Sequence, residues 1–301
     1  HNPATGEGTK YAGLSIASAM AWGLGYFGMP HILLRFMGIE DENKLKISRR
    51  IATVWVIISM FVAILIGIVG YSVSKAGALE VFADASTAET LIVRIAMLLS
   101  EKGVLAIIMA GLILSGILAS TMSTADSQLL AASSSVSKNL LVDCAGLKLS
   151  EKASMLAARA TVFGISVIGV IIAWNPNNSV FKIVSFAWGG FGAVFGPAML
   201  ASLFWKRSNR YGILSGMVVG GVMVFVWKYL IAPIGGVWAI YELLPAFILS
   251  SIVIVIVSLL TPAPEKEIVE EFDDYLNCNI RDEKKVEKIT ISHLVHYLNS
   301  Y

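Results

Sequence analysis

Charge is scarce in this chain: of its 301 residues only 15% are Asp, Glu, Lys or Arg, against 56% hydrophobic and a mean hydropathy of +0.74. That balance lies outside the range of soluble globular proteins. No Gly-rich phosphate loop occurs in the sequence, which argues against an ATP-driven pump or a fused sensor kinase in this stretch. Cysteine is nearly absent too. The two present, Cys144 and Cys278, suggest neither a disulfide nor a metal site.

What the sequence has instead is one apolar run after another. Crossing a hydrocarbon core takes roughly 20 helical residues, and seven stretches qualify: approximately 11–34, 51–73, 104–126, 154–174, 183–205, 211–231 and 242–260. An open strand in lipid would leave its amides unpaired, so the fold class expected is an all-α integral membrane protein with about seven transmembrane helices.

Cytoplasmic loops collect Lys and Arg. Arg35, Lys44, Lys46, Arg49 and Arg50 follow the first span, Lys138, Lys148 and Lys152 the third, and Lys206, Arg207 and Arg210 the fifth. The alternate loops are poorer in these residues. This alternation places residues 1–10 outside, and the basic loops, both cysteines and the tail from Thr261 inside, where thiols stay reduced. Residues 1–260 then form the membrane domain and 261–301 a charged, partly helical cytoplasmic tail, in a multi-pass protein of the inner or plasma membrane. Within the long outer connector, Ala88 to Ser100 has helical spacing with few charges, and either lies on the membrane surface or packs as an extracellular helix. The chain begins His-Asn-Pro, directly upstream of a span. That start, and an odd number of spans entered from outside, lead us to expect a fragment whose partner is the missing amino-terminal half of the same protein.

Two places look built for chemistry. In Gly23 to Pro30 (GLGYFGMP) three glycines and a proline fall inside one span. Proline deprives the Tyr26 carbonyl of its helical donor and glycine lowers resistance to unwinding, so a broken helix is expected. Trp22, Tyr26 and Pro30, at i, i+4 and i+8, would share one broad face of an α-helix. Such an interruption marks a secondary transporter's binding site or, on pattern alone equally well, a proline kink with interfacial aromatics. The second place is the hydroxyl-rich run Ser115 to Asn139. There Ser120, Ser123 and Thr124, at i, i+3 and i+4, offer hard oxygen ligands of the kind sodium accepts, or else a close-packing surface. Asp126 flanks them as a membrane-embedded carboxylate or, if the span ends nearby, a residue of the inner vestibule.

The stretch ILASTMSTADSQLLAASSSVSKNL resembles the signature region of the sodium:solute symporter family, and AWGLGYFGMPHILLRFM resembles the matching helix of its proline branch. AWNPNNSVFKIVSFAWGGFGAVFGPAML, LFWKRSNRYGILSGMVVGG and YELLPAFILSSIVIVIVSLL extend the likeness over nearly all of the chain before the tail. The resemblance implies the second half of a five-plus-five inverted-repeat transporter fold, followed by two peripheral helices, and alternating-access symport rather than enzymatic catalysis. It implies Na+ as coupling ion, held by Ser123, Thr124 and the backbone carbonyl at Ser120, where the branch has Ala. It implies L-proline as substrate, held by Trp22, Tyr26 and Pro30. Met29 replaces a Gln common in that branch, and Asp126 stands where the branch can have Ser. Pantothenate, another amino acid, or solute sensing without transport are the alternatives. In the Gly-rich fifth span, AWGGFGAVFGP, the residues suit either a hinge or static close packing.

Overall fold

The computed structural model describes residues 13–39, 41, 44–80, 82, 85–174 and 179–277. Residues 1–12, 175–178 and 278–301 lie outside the described residues, and with them the expected outer position of residues 1–10, Cys278 and most of the charged tail. Among the described residues every regular element is helical. The chain divides into two compact units, His1–Met37 with Val184–Tyr301, and Gly38–Ile183.

The first unit opens with α1 (Gly13–Ala21), a 3₁₀ stretch (Trp22–Gly28) and α2 (Pro30–Met37). The first expected span is therefore a broken helix, as its glycines and proline require. Later come α8 (Val180–Phe204), α9 (Arg210–Val226, continued by a π-helical turn Trp227–Ile231), α10 (Leu243–Leu260) and α11 (Lys266–Asn277). The most intimate packing joins α9 to α10 through small residues. Gly212, Gly216 and Gly220, four apart on one face of α9, meet Ser250, Ile254 and Ser258, four apart on α10. Ser250 Oγ donates to the Gly216 carbonyl at 2.8 Å. Lipid tails are as apolar as Leu, so helices in a bilayer associate by such close backbone approach rather than by hydrophobic expulsion.

Polar side chains lock the loop between α8 and α9 to the end of α10. Asn209 caps α9 by accepting from Gly212 N–H at 2.9 Å, and donates to Thr261 Oγ1 and the Pro262 carbonyl at 2.8 Å each. Arg207 reaches the Thr261 carbonyl at 2.9 Å, and Lys206 pairs with Asp273 of α11 at 3.3 Å. Of the expected tail, the described part beyond its Pro-Ala-Pro start is thus helical, with Phe272 buried.

The second unit holds α3 (Lys44–Lys75), the single turn α4 (Ala85–Ala88), α5 (Leu91–Ser100), α6 (Val104–Ser134) and α7 (Glu151–Ala173). α6 does not stop near residue 126. It runs on through a π-helical segment, Ser135–Cys144, so Asp126 lies well inside a continuous rod and Lys138 belongs to that rod instead of a loop. Hydroxyls do not end a helix by themselves: Thr124 and Ser127 fold back onto the carbonyls four residues before them, at 3.2 and 3.1 Å. α5 packs on α3 and α6, with Ala96 fully buried and Leu91 against Gly70, which is the packed-helix alternative for the outer connector. Among the described residues, six helices are long and apolar enough to cross a membrane: 44–75, 104–144, 151–173, 180–204, 210–234 and 243–260. The broken first span, expected as a seventh crossing, is not among these uninterrupted helices.

Glu89, in the connector before α5, caps the start of α8. Its carboxylate accepts from Ser179 Oγ at 2.7 Å, Val180 N–H at 3.0 Å and Phe181 N–H at 3.2 Å. The Ser179 bond above all, then the Phe181 and Val180 bonds, hold its carboxyl below the ordinary value of 4.5. A lowered carboxyl stabilises this contact above its unfolded value and loses that contribution as pH falls through the folded one. Amide protection at Val180 and Phe181, corrected for intrinsic exchange, should be flat from pH 7 to 5, drop below 4.5, and be low throughout in Glu89→Gln.

A Cβ at Gly220 would sit 2.5 Å from the Ala193 carbonyl oxygen, whereas one at Gly221 meets nothing nearer than 3.4 Å. Gly220→Ala should therefore cost about 1–3 kcal/mol and lower the unfolding midpoint in detergent. Gly221→Ala should leave that midpoint unchanged or raised.

Candidate functional site

The break in the first span is built from both sides. Met29 is extended (φ −84°, ψ 111°), and its carbonyl accepts from Ile32 and Leu33 N–H, each at 3.0 Å. Pro30 is thus the first residue of α2, where its missing N–H costs nothing. The preceding 3₁₀ stretch owes its place to α8. A Cβ at Gly25 would collide with the Trp188 indole, and one at Gly28 with the Phe191 carbonyl. The glycines let α8 come close enough for Trp188 Nε1 to donate to the Trp22 carbonyl at 3.0 Å. Gly192 and Gly196 of the fifth span face this segment and Phe247, so close packing is what the structure shows for them.

Four rings gather around the break. Trp22 stacks on Trp188 (centroids 5.5 Å, planes 14° apart) and on Tyr241 (6.0 Å, 18°), and Tyr26 meets Trp188 edge-on at 4.8 Å. The expected common face of Trp22, Tyr26 and Pro30 assumed an α-helix. In a 3₁₀ stretch residues four apart diverge by about 120° rather than about 40°, and Trp188 is what bridges Trp22 and Tyr26. Tyr26 remains 52% exposed while Trp22 and Pro30 are half-buried, so the open ring is that of Tyr26. Trp188 and Tyr241 were not singled out from the sequence. Both lie far along the chain in apolar stretches, where a lone aromatic carries no spacing signal.

Tyr241 is firmly held. Its N–H donates to Ser18 Oγ at 3.1 Å and its hydroxyl to the Ser185 carbonyl. Burial first, then the neighbouring Glu242 charge, pushes its phenol upward, so it remains a donor at physiological pH.

The hydroxyl run divides into two parts. Ser133 and Ser137 are buried towards the end of the rod, in the packing role. Ser120, Ser123, Thr124 and Asp126 are exposed on α6. Thr124 Oγ1 lies 3.2 Å from the Ser120 carbonyl oxygen, which puts a hydroxyl and a carbonyl side by side as two hard oxygens of one face. These residues belong to the second compact unit and the ring cluster to the first.

The model of the sodium:solute symporter family matches residues 4–220. The chain belongs to that family. Its members are transporters rather than enzymes, and sodium is their coupling ion. Among its relatives, the high-affinity proline transporter PutP of Bacillus subtilis (strain 168) is 38% identical over 262 residues, covering 87% of this chain and 53% of the relative. The osmoregulated proline transporter OpuE of the same organism is 38% identical over 253 residues, 84% of this chain and 49% of its own. The sodium/proline symporter of Escherichia coli (strain K12) is 37% identical over 259 residues, 86% and 50% respectively. The chain spans about half the length of these relatives. No solved structure matches it significantly.

The Trp188–Trp22 bond gives a direct test of how the break is held. Trp188→Phe keeps a ring but removes the only N–H on that side chain, and should lower the unfolding midpoint by the equivalent of roughly 1–2 kcal/mol. Trp174→Phe, at an exposed turn, should not.

Proposed function

We propose that this chain is part of a sodium-coupled L-proline symporter working by alternating access, and that it supplies some of the groups that hold substrate and ion. The observation that carries the reading is the broken first span. An unwound segment at membrane depth is tolerated only where protein or a cavity surrounds it, and in secondary transporters it is where the substrate binds. Trp22, Tyr26 and Pro30 are assigned to the substrate: Tyr26 offers its open face to the pyrrolidine ring, Trp22 backs the wall, and Pro30 sets the break. Backbone groups of the 3₁₀ stretch suit the two charges of an amino acid. The names of the relatives support proline over pantothenate or another solute.

Sodium is assigned to Ser123 and Thr124 hydroxyls with the Ser120 carbonyl, its other ligands coming from a helix outside this chain. Occupancy would favour the conformation that holds substrate better, and linkage makes that coupling reciprocal. Each sodium charge that crosses gains about 2.3 kcal/mol per 100 mV, enough for roughly 50-fold accumulation. The alternation of basic loops supports a cell-membrane protein with α11 and the tail on the cytoplasmic side.

The test is uptake of labelled L-proline by the full-length protein in proteoliposomes under an inward sodium gradient, with a potassium control. Accumulation above equilibrium only with sodium is expected. Thr124→Ala should raise half-saturating sodium at least about tenfold, a loss near 1.4 kcal/mol, while Ser134→Ala should not. Equal effects from the two would remove the cation assignment.

A further inference from the structure

Tyr241 stands on the connector between α9 and α10, beyond residues 4–220 that match the family, yet its ring stacks on Trp22. The connector is tied down on every side of it. Trp227 Nε1 donates to the Ile240 carbonyl at 3.2 Å, Ser18 Oγ accepts from Tyr241 N–H, the Ser185 carbonyl accepts from its hydroxyl, and Lys228 Nζ pairs with Glu242 Oε1 at 3.1 Å. Trp227 and Lys228 open the π-helical turn of α9, and both side chains reach the connector.

The pair is asymmetric. The Glu242 side chain is 6% exposed, whereas that of Lys228 is 36% exposed and lies over the Phe186 ring at 5.6 Å. Buried ion pairs seldom add stability over apolar replacements, so one placed next to a binding-site ring points to a demand for geometry.

We propose that Tyr241 is a positioning residue of the substrate pocket, clamped by Lys228 and Glu242 against the Ser18–Trp22 segment, so that this connector sets how tightly the pocket holds its substrate. The inference rests on the reading of Trp22 and Tyr26 as that pocket. It gives residues beyond the family match a part in substrate affinity, and it predicts an order among variants. Lys228→Met strands a buried carboxylate. Glu242→Gln leaves only a lysine that can reach water. The double variant strands neither.

The experiment measures half-saturating L-proline and maximal uptake at saturating sodium in proteoliposomes of the full-length protein, together with sodium binding without proline by tryptophan fluorescence. Tyr241→Leu and Lys228→Met should each raise half-saturating proline about tenfold with maximal uptake within about twofold, as loss of one aromatic stack and misplacement of its ring require. Tyr241→Phe, which keeps the stack, and Glu242→Gln should each shift it less, Lys228→Arg should behave as wild type, and the double variant should recover part of the Lys228→Met loss. Sodium binding without proline should not move, whereas a general structural defect would shift it together with maximal uptake. If Tyr26→Ala raises half-saturating proline while Tyr241→Leu and Lys228→Met do not, the clamp is wrong and the pocket stands. If Tyr26→Ala has no effect either, pocket and clamp both fall. Should Tyr241→Leu fail to assemble, Tyr241→Phe and the volume-conserving Lys228 and Glu242 series decide alone.

Discussion

A helix that breaks within a membrane must find partners for the backbone groups it frees, and the packing of the first unit follows from that constraint. The break at Trp22–Met29 survives because α8 comes near enough for a tryptophan indole to serve a backbone carbonyl. That approach requires glycine on both helices, Gly25 and Gly28 on one, Gly192 and Gly196 on the other. With α8 fixed there, the α10 side chains Leu243 and Phe247 fill the remaining space beside Ala193 and Val224. α10 in turn is held to α9 by a second small-residue seam. The order of dependence runs from one lost helical hydrogen bond outward to four helices.

That origin explains what the sequence discloses and what it hides. Proline and glycine act locally, so the break is legible from eight residues, and the apolar runs declare the crossings because lipid demands length. Where a helix ends is less legible. α6 continues past Asp126 because Ser and Thr can bond back to carbonyls one turn earlier, leaving the helix intact, and no glycine or proline intervenes before Cys144. Partnership across the chain is hidden altogether. Nothing about Trp188 distinguishes it from a lipid-facing tryptophan until the fold brings it to Trp22, and Tyr241 becomes part of the cluster only through three contacts to distant residues. The face expected for Trp22 and Tyr26 shows a third kind of gap: the residues were recognisable, but their mutual angle depended on a 3₁₀ geometry that residue spacing does not encode.

The hydroxyl run shows how one composition serves two ends within a single helix. At Ser133 and Ser137 small polar side chains are buried in helix packing. At Ser120, Ser123 and Thr124 the same chemistry stands open, with a carbonyl and a hydroxyl already adjacent. The first use is completed by helix packing, whereas the second leaves its oxygens exposed on the face of α6.

The uninterrupted length of the Val104–Cys144 rod has a mechanical consequence. Forty-one residues make about 60 Å of helix, twice a hydrocarbon core of about 30 Å. From Thr124 to Cys144 the arm is about 30 Å, so a tilt of only 10° about the hydroxyl face swings its far end by about 5 Å. A rod of that length works as a lever about Ser120, Ser123 and Thr124, and a sub-ångström adjustment there becomes a displacement comparable to a helical turn where Lys138, Asp143 and Cys144 stand.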